Sequence, residues 1–492
     1  MPQSPNILLI MSDNHPADLL GCGGNTEIHT PHIDRLAAEG LRFENAFSVN
    51  AMCSPCRASV LTGLMPSQHG IHTWLDDRQM DSWPEHWNAL AGLPVLPELL
   101  QEQGYQTALI GKYHLGRPDR AQNGFDHWVT LPHGHTRSFW GNTLIENGQR
   151  SIYEGHSVDA FTEKAVEYLD RHDPAQGPFF MFLSYNGPYG HWPAIQGPAR
   201  NRFASRYADT EMRSVPREGL SPAAIKNAWL RQQESGGGLD YSSHLRIPND
   251  LESLRNYFSQ MSMVDDGVGQ VVQAVDEAGL AEDTLVIYTC DHGFSLGSHG
   301  YWGHGQATWP ANAHRQAYHI PLIFRQPGAI LPGQVEPEPV SQIDLFSTML
   351  ELGGAEPPDS SDSFSRSLMS CLEGQALEAG QTVFIEQEEL RAIRTAQWLY
   401  VKRFAGHPTE VFENELFDLS TDPDERHNRI DAPQYADQAA ALDLRLEAYF
   451  SACSDPRFDL WAGGRAKGNA SKPAYWKSIW GVDWAPVFDL TL

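Results

Sequence analysis

Two short stretches end an apolar run on residues able to hold a metal ion: NILLIM leads into Ser12-Asp13-Asn14, and TLVIYTC leads into Asp291-His292-Gly293. Carboxylates with an amide oxygen suit Ca²⁺ or Mg²⁺, whereas an imidazole pulls the preference toward Mn²⁺ or Zn²⁺. Taken singly, Asp13 is equally well explained as a helix cap and Asp-His-Gly as an ordinary turn. A third stretch, AMCSPCRASVLTG, carries Cys53 and Cys56 around Pro55. Structural zinc would need a second close cysteine pair, and the other cysteines (Cys22, Cys290, Cys371, Cys453) form none. A thioredoxin-like pair should follow the first strand of a βαβ unit rather than lie in a long connection. Pro55 in the first turn of a helix-compatible run predicts Cys53 at or near a helix N-terminus, a position that lowers a thiol pKa and welcomes anions.

The elements that must position these residues follow from the apolar pattern. NILLIM, TALIG, FFMFLSYN and TLVIYTC read as buried parallel strands, with IPLIF (Ile320 to Phe324) as a fifth. TALIG ends at Lys112-Tyr113-His114 and FFMFLSYN at Gly187-Pro188-Tyr189-Gly190-His191. Between the strands, HIDRLAAEG, LPELLQEQG, VDAFTEKAVEYLDRH and MVDDGVGQVVQAVDEAG repeat apolar residues at helical spacing. Strands alternating with helices predict a doubly wound α/β fold with a mostly parallel sheet. In such sheets ligands lie beyond the carboxyl ends of the strands, so all of these polar clusters are expected to meet in one site.

Residues 1–370 are expected to form this large α/β domain, and 371–492 a smaller α+β unit with an antiparallel sheet from TVFIEQ, RAIRTAQWLYVKRF and ENELFDL. Residues 196–250 read as an irregular insertion that either covers the site or is a solvated excursion. DSSDSFSRS reads as a linker, and the tail AYWKSIWGVDWAPVFDL as a segment packed back on the body. With 62 acidic against 35 basic residues and a net charge of −27, the chain repels phosphate backbones, so no nucleic-acid partner is expected. A small anionic substrate then needs a local island of positive charge. The opening MPQSPNILLIMSDN has no basic n-region, and its apolar run is too short for a signal peptide or a membrane span. A cytoplasmic location without membrane association is expected, and a homo-oligomer is compatible with the sequence.

The run from Cys53 through Pro55, Arg57, Ser59 and Thr62 to Gly63 resembles the signature of the formylglycine-dependent sulfatases of the alkaline phosphatase-like superfamily. NILLIMSDN, TPHIDRLAAEGLRFENAF, GKYHLG, FLSYNGPYGHWP, YTCDHGFSLGSHGYWG and ELFDLSTDPDERHN accompany it in the family's order. The resemblance implies hydrolysis of aryl, alkyl or carbohydrate sulfate monoesters. It implies that a maturation enzyme converts Cys53 to formylglycine, whose hydrate is the nucleophile. It implies one divalent ion, Ca²⁺ ahead of Mg²⁺ or Mn²⁺, held by Asp13, Asn14, Asp291 and His292 together with the modified Cys53. Arg57 and Lys112 would bind the modified residue and the sulfate oxygens, and His114 would hydrogen-bond the second hydroxyl of the hydrate.

The chain departs from the family pattern in several places. Asn14 stands where aspartate is common, His304 where a sulfate-contacting lysine is usual, and His319 where arginine is frequent. Tyr189 follows Pro188 where a histidine is usual, so His191 is taken as the group facing the leaving oxygen, with Tyr189 the alternative. These changes keep a second substrate class open, the phosphonate monoesters and phosphodiesters cleaved elsewhere in the superfamily. Gln68-His69-Gly70 and Ser298-His299-Gly300 read as turn histidines bonded to backbone. LPHGHTRSFW, with His133, His135, Arg137 and Trp140, reads either as a sugar- or aryl-binding wall or as a surface loop.

Overall fold

A strand covered on both faces needs apolar residues on consecutive positions, and the longest runs satisfy this: every residue of Asn6–Asp13, Phe179–Pro188 and Thr284–Cys290 is buried. The computed structural model of the chain describes residues 4–75, 85, 87–222, 224–225, 243–305, 308, 310–356, 364–404 and 412–462. The tryptophan-rich tail, residues 226–242 of the insertion and residues 357–363 of the linker lie outside the described residues.

Ten strands form one mixed sheet in the order Gln334–Glu336, Leu41–Phe43, Leu322–Arg325, Thr284–Cys290, Asn6–Asp13, Phe179–Pro188, Gln106–Gly111, His127–Thr130, Trp140–Glu146, Gln149–His156. From Thr284–Cys290 to His127–Thr130 every neighbouring pair is parallel. Successive side chains of the central strand enter opposite cores, as the two-residue period requires. Ile7, Leu9 and Met11 pack with the layer of helices Cys53–Thr62, Leu96–Glu102 and Asp344–Leu352. Leu8 and Ile10 pack with Pro31–Glu39, Ser157–Arg171 and Leu251–Glu277. The fold is thus the expected doubly wound α/β sandwich. The last helix starts twelve residues before the MVDDGVGQ run, because the Asp250 carboxylate accepts the amides of Glu252 and Ser253 and caps it there.

One strand runs against expectation. Leu322–Arg325 is antiparallel to Thr284–Cys290, and Ile320 belongs to a separate two-residue strand, His319–Ile320, paired with Ala46–Phe47. A parallel return needs a crossover to the opposite end of the sheet. The described chain between residues 291 and 321 makes three two-residue strands, a 3-10 turn and the one-turn helix Arg315–Tyr318, with no crossover helix among them, so it re-enters from the end it left.

The C-terminal strands Thr382–Gln387, Leu390–Thr395, Trp398–Arg403 and Glu415–Asp418 form a small antiparallel sheet in chain order, as expected. Leu442, Leu446 and Phe450 of helix Ala436–Cys453 cover it by packing with Ile393, Tyr400 and Leu416. This sheet is joined to the segment before Cys53: Asn50 Nδ2 donates to the Glu386 carbonyl (2.7 Å), Ala51 N to Gln387 Oε1 (2.8 Å), and Glu386 N to the Val49 carbonyl (3.0 Å). Among the described residues no helix is long and apolar enough to cross a membrane.

Candidate active site

Helix Cys53–Thr62 begins after Met52, whose backbone is extended, and ends at Gly63, whose φ of 69° only glycine adopts at little cost. All ten of its residues are buried. Its start is pinned by Ser54, whose Oγ donates to the His114 carbonyl (2.9 Å) and accepts the Leu75 amide (3.0 Å). His69 braces the next turn, with Nε2 3.1 Å from Ser59 Oγ and Nδ1 accepting the Ile71 amide. Cys56 is a free thiol aimed away from the site at the Asn50 carbonyl (2.9 Å).

The strand ends bring the metal-ligand candidates to Cys53. Asp13 closes its strand, Asp291 and His292 follow theirs, and one ligand atom from each of these residues and from Cys53 all lie within 4.8 Å of one another. Cys53 Sγ is 3.4 Å from His292 Nε2 and 3.8 Å from Asp13 Oδ1. His292 Nδ1 donates to the Gly293 carbonyl (2.8 Å), which leaves the Nε2 lone pair facing the cluster. Asn14 stands at φ 62°, with its backbone amide 3.4 Å from Asp291 Oδ1. Its side-chain oxygen and nitrogen are both buried without a hydrogen-bond partner, a costly arrangement unless another ligand satisfies them. Two carboxylates, an orphan amide oxygen and an imidazole lone pair fit a hard divalent cation.

Two cations complete the cluster. Lys112 Nζ donates to Asp13 Oδ2 (2.5 Å). Arg57 holds Asp291 Oδ2 through Nε (3.2 Å) and Nη2 (3.1 Å), while Nη1 reaches the Lys112 carbonyl (2.8 Å) and Ser184 Oγ (2.5 Å). All four charged side chains are sealed from solvent. Two cations facing two carboxylates leave the cluster neutral by itself, so the positive charge that an anionic substrate needs would come with a divalent cation held there.

Burial decides the electrostatics. It pushes the Cys53 thiol far up, aided by Asp13 and Asp291 and opposed by Lys112 and Arg57, so the lowering expected from the helix N-terminus is overridden by desolvation. Burial and Asp291 push Asp13 up against the pull of Lys112. Asp291, despite burial, is held well below the usual carboxylate range by His292, Arg57 and Lys112.

A rim of histidines surrounds this centre. The His304 ring lies 4.1 Å from that of His292, with Nδ1 donating to the Ala51 carbonyl (2.7 Å). The His191 ring lies 5.0 Å from His304 and 5.2 Å from His244 of the insertion. Burial first, then neighbouring imidazoles, holds His191 and His304 well below the usual histidine range. Tyr189, at φ 47°, lies beneath Lys112, whose Nζ is 5.5 Å from the ring centroid. His114, at φ 62°, donates Nε2–H to the Leu75 carbonyl (2.7 Å) and so carries its lone pair on Nδ1. Beside it His135 packs on Trp74, with ring centroids 4.6 Å apart.

Of the stretch read either as a binding wall or as a surface loop, His135 lies beside His114, whereas His133, Arg137 and Trp140 face solvent. His319, at the position where arginine is frequent, bonds the Glu44 carbonyl and lies 3.6 Å from Asp18 Oδ1. His299 differs from expectation: its ring stacks on His314 at 3.7 Å rather than bonding to backbone. The sequence reading missed Ser184, Tyr257 and Gln342. Tyr257 donates its hydroxyl to the Asn14 carbonyl (2.5 Å), and Gln342 Nε2 donates to the carbonyls of Cys290 (2.8 Å) and Asp291 (2.9 Å). They lie inside a helix or a loop without motif spacing, and only the FLSYN run gave a signal for Ser184.

Comparison with known proteins agrees with this geometry. The family model described as Sulfatase matches residues 5–355, and the one described as N-sulphoglucosamine sulphohydrolase, C-terminal, matches residues 311–451. The chain is 27% identical to an N-acetylglucosamine-6-O-sulfatase of Bacteroides thetaiotaomicron, covering 90% of this chain and 86% of that protein. It is 26% identical to iduronate 2-sulfatase of Homo sapiens, over 93% of this chain and 84% of the other. A solved structure of an enzyme bound to its substrate D-glucosamine-2-N,6-O-disulfate superposes with a TM-score of 0.72 at 24% identity, covering 92% of this chain and 99% of the other. The phosphonate monoester hydrolase of Agrobacterium radiobacter does so with 0.68 at 20% identity, over 91% and 95%. The chain therefore belongs to the sulfatase family, sulfuric-ester hydrolases built on the alkaline phosphatase-like fold.

Proposed function

We propose that this sulfatase removes sulfate from carbohydrate sulfate esters, using Cys53 matured to formylglycine and a divalent cation held by Asp13, Asn14, Asp291 and His292. The observation that carries the reading is the orphan amide of Asn14, set beside two carboxylates and an imidazole lone pair at the Cys53 side chain. The named activities of the relatives support a sugar as the esterified alcohol. A plain thiol at residue 53, held protonated by burial, is a poor nucleophile, which supports a modified residue there.

Formylglycine at residue 53 would supply, as its hydrate, one hydroxyl as nucleophile and a second that a base could deprotonate. A divalent cation held by Asp13, Asn14, Asp291 and His292 would supply positive charge to an anionic ester. The chain's own residues do the rest. Arg57, locked by Asp291, Ser184 and the Lys112 carbonyl, presents a fixed guanidinium, and Lys112, held by Asp13, adds an ammonium. Because both are already oriented, little reorganisation is needed when charge develops. His114, with its Nε2 proton given to Leu75, offers Nδ1 as the base for the second hydroxyl. His191 and His304 face the departing alkoxide, and an entering anion raises their affinity for the proton that the leaving oxygen takes. Burial of the whole centre excludes competing water.

The test is sulfate release by matured, metal-loaded protein from N-acetylglucosamine 6-sulfate, N-acetylgalactosamine 6-sulfate and an aryl sulfate. Turnover of a sugar ester supports the reading; release from none of the three overturns it.

A further inference from the structure

The second feature of interest lies at the other end of the sheet. Gln106, His127 and Phe179 are the first residues of three adjacent parallel strands, about 20 Å from the carboxyl ends that carry Lys112 and Pro188. Here a cavity of about 220 Å³ is lined by Gln106, His127, Tyr168 and His172, with Lys164 and Glu146 on its wall. Four of its side chains each keep a buried polar atom without a hydrogen-bond partner: Gln106 Nε2, His127 Nε2, the Tyr168 hydroxyl and His172 Nδ1. Each such atom is costly to bury unless a partner arrives. Their rings form an aromatic corner: His127 lies 5.3 Å from Tyr168, and Tyr168 and His172 meet Phe179 edge-on at 6.2 and 5.0 Å.

The chemistry of the missing partner follows from which groups are already satisfied. Lys164 is bound to Glu146 and Glu167 at 3.0 Å each, and Arg171 lies 3.7 Å from Glu167, so the cations are committed and an anion would meet two carboxylates. Burial lowers the pKa of both imidazoles. A cation site is disfavoured, because among the described residues only the Asp13 cluster and the His299–His314–Glu425 group bring three ligand atoms within 4.8 Å. What remains unsatisfied is an amide N–H, a phenol and two imidazole nitrogens beside aromatic faces, in a space for one small ring.

We propose that this cavity binds one uncharged sugar ring, whose hydroxyls satisfy Gln106, His127, Tyr168 and His172. The site is separate from the sulfatase centre and does not rest on the mechanism proposed for it.

The test uses the full-length protein. Crystals soaked in N-acetyl-D-glucosamine or D-galactose should show a sugar ring in the cavity, in contact with Tyr168 and Gln106. In solution, saturation-transfer NMR should detect both sugars, and the double variant Gln106→Leu/Tyr168→Phe should bind them about tenfold more weakly. D-glucuronate, which carries a carboxylate, should not enter the cavity. Comparable binding of N,N′-diacetylchitobiose identifies a ring within a chain as the occupant; exclusive binding of the monosaccharide identifies a free sugar. Ordered water alone in soaked crystals overturns the proposal, as does unchanged sugar affinity in a folded double variant. If the variant fails to fold, the wild-type crystals decide.

Discussion

Lys112 and Asp13 meet at 2.5 Å with both side chains sealed from solvent. Removing one member of such a pair strands the other as an uncompensated buried charge, typically at a cost of about 3–5 kcal/mol. Lys112→Met should therefore lower the thermal midpoint and abolish sulfate release. Adding Asp13→Asn should restore much of the stability and none of the activity. Calorimetry and an ester assay on both variants check this; recovered turnover in the double variant would remove the pair from the mechanism.

Cys53→Ala should reduce sulfate release by roughly 10⁴-fold or more, because loss of a nucleophile leaves only binding and electrostatic contributions. The fold should persist, since the Cys53 side chain is not a core anchor. Peptide mass spectrometry of active protein should find residue 53 as an aldehyde; full activity from a plain thiol would contradict the assignment.

Asn14 supplies an amide where a carboxylate would add a charge. Chelation should abolish turnover, and added Ca²⁺ should restore it. Asn14→Asp should tighten Ca²⁺ binding by roughly tenfold, as greater ligand charge does in oxygen-donor sites. Calorimetric titration of the apoprotein reads the affinity directly. An unchanged affinity would exclude Asn14 as a ligand.

Acid should weaken the fold through two histidines remote from the reaction. His69 and His156 each accept a backbone amide on Nδ1, and burial lowers their pKa values to about 3 and about 4. Both folded-state values lie below the unfolded value, so the folded chain binds fewer protons. Their contribution is complete above the unfolded pKa of about 6.5 and is lost as pH falls toward these values. Urea unfolding should show this contribution nearly flat from pH 7.5 to about 6.5 and, below that, stability falling toward about 1.4 kcal/mol per pH unit for each proton. His156→Gln should make the dependence shallower; an unchanged slope would show that His156 does not contribute.

The neutral histidines His191 and His304 also bear on substrate choice. Paired assays on matched sulfate and phosphonate monoesters should favour sulfate, in keeping with the family. A marked preference for the phosphorus ester would replace the substrate class while keeping the site.

The sheet and the cluster at its carboxyl ends could be anticipated in the sequence because strands buried on both faces produce uninterrupted runs such as FFMFLSYN, and each run ends on polar residues. The direction of Leu322–Arg325 was not, since an apolar run records coverage and not polarity of the chain. The thiol of Cys53 was misjudged for a similar reason: spacing places it at a helix start, but only packing reveals how completely water is removed. Tyr257 and Gln342 act through backbone carbonyls, and such contacts depend on tertiary approach rather than on any local pattern.

The burial of helix Cys53–Thr62 has a consequence for timing. A modifying enzyme needs an exposed substrate segment, yet residue 53 is sealed in the finished fold, partly because Glu386 and Gln387 stitch down the residues just before it. Those two residues leave the ribosome more than three hundred residues after Cys53. On the proposed conversion of Cys53, modification would have to compete with closure: it would have to act while the C-terminal sheet is still unmade, and a chain that folded unmodified would keep its thiol until it unfolded again.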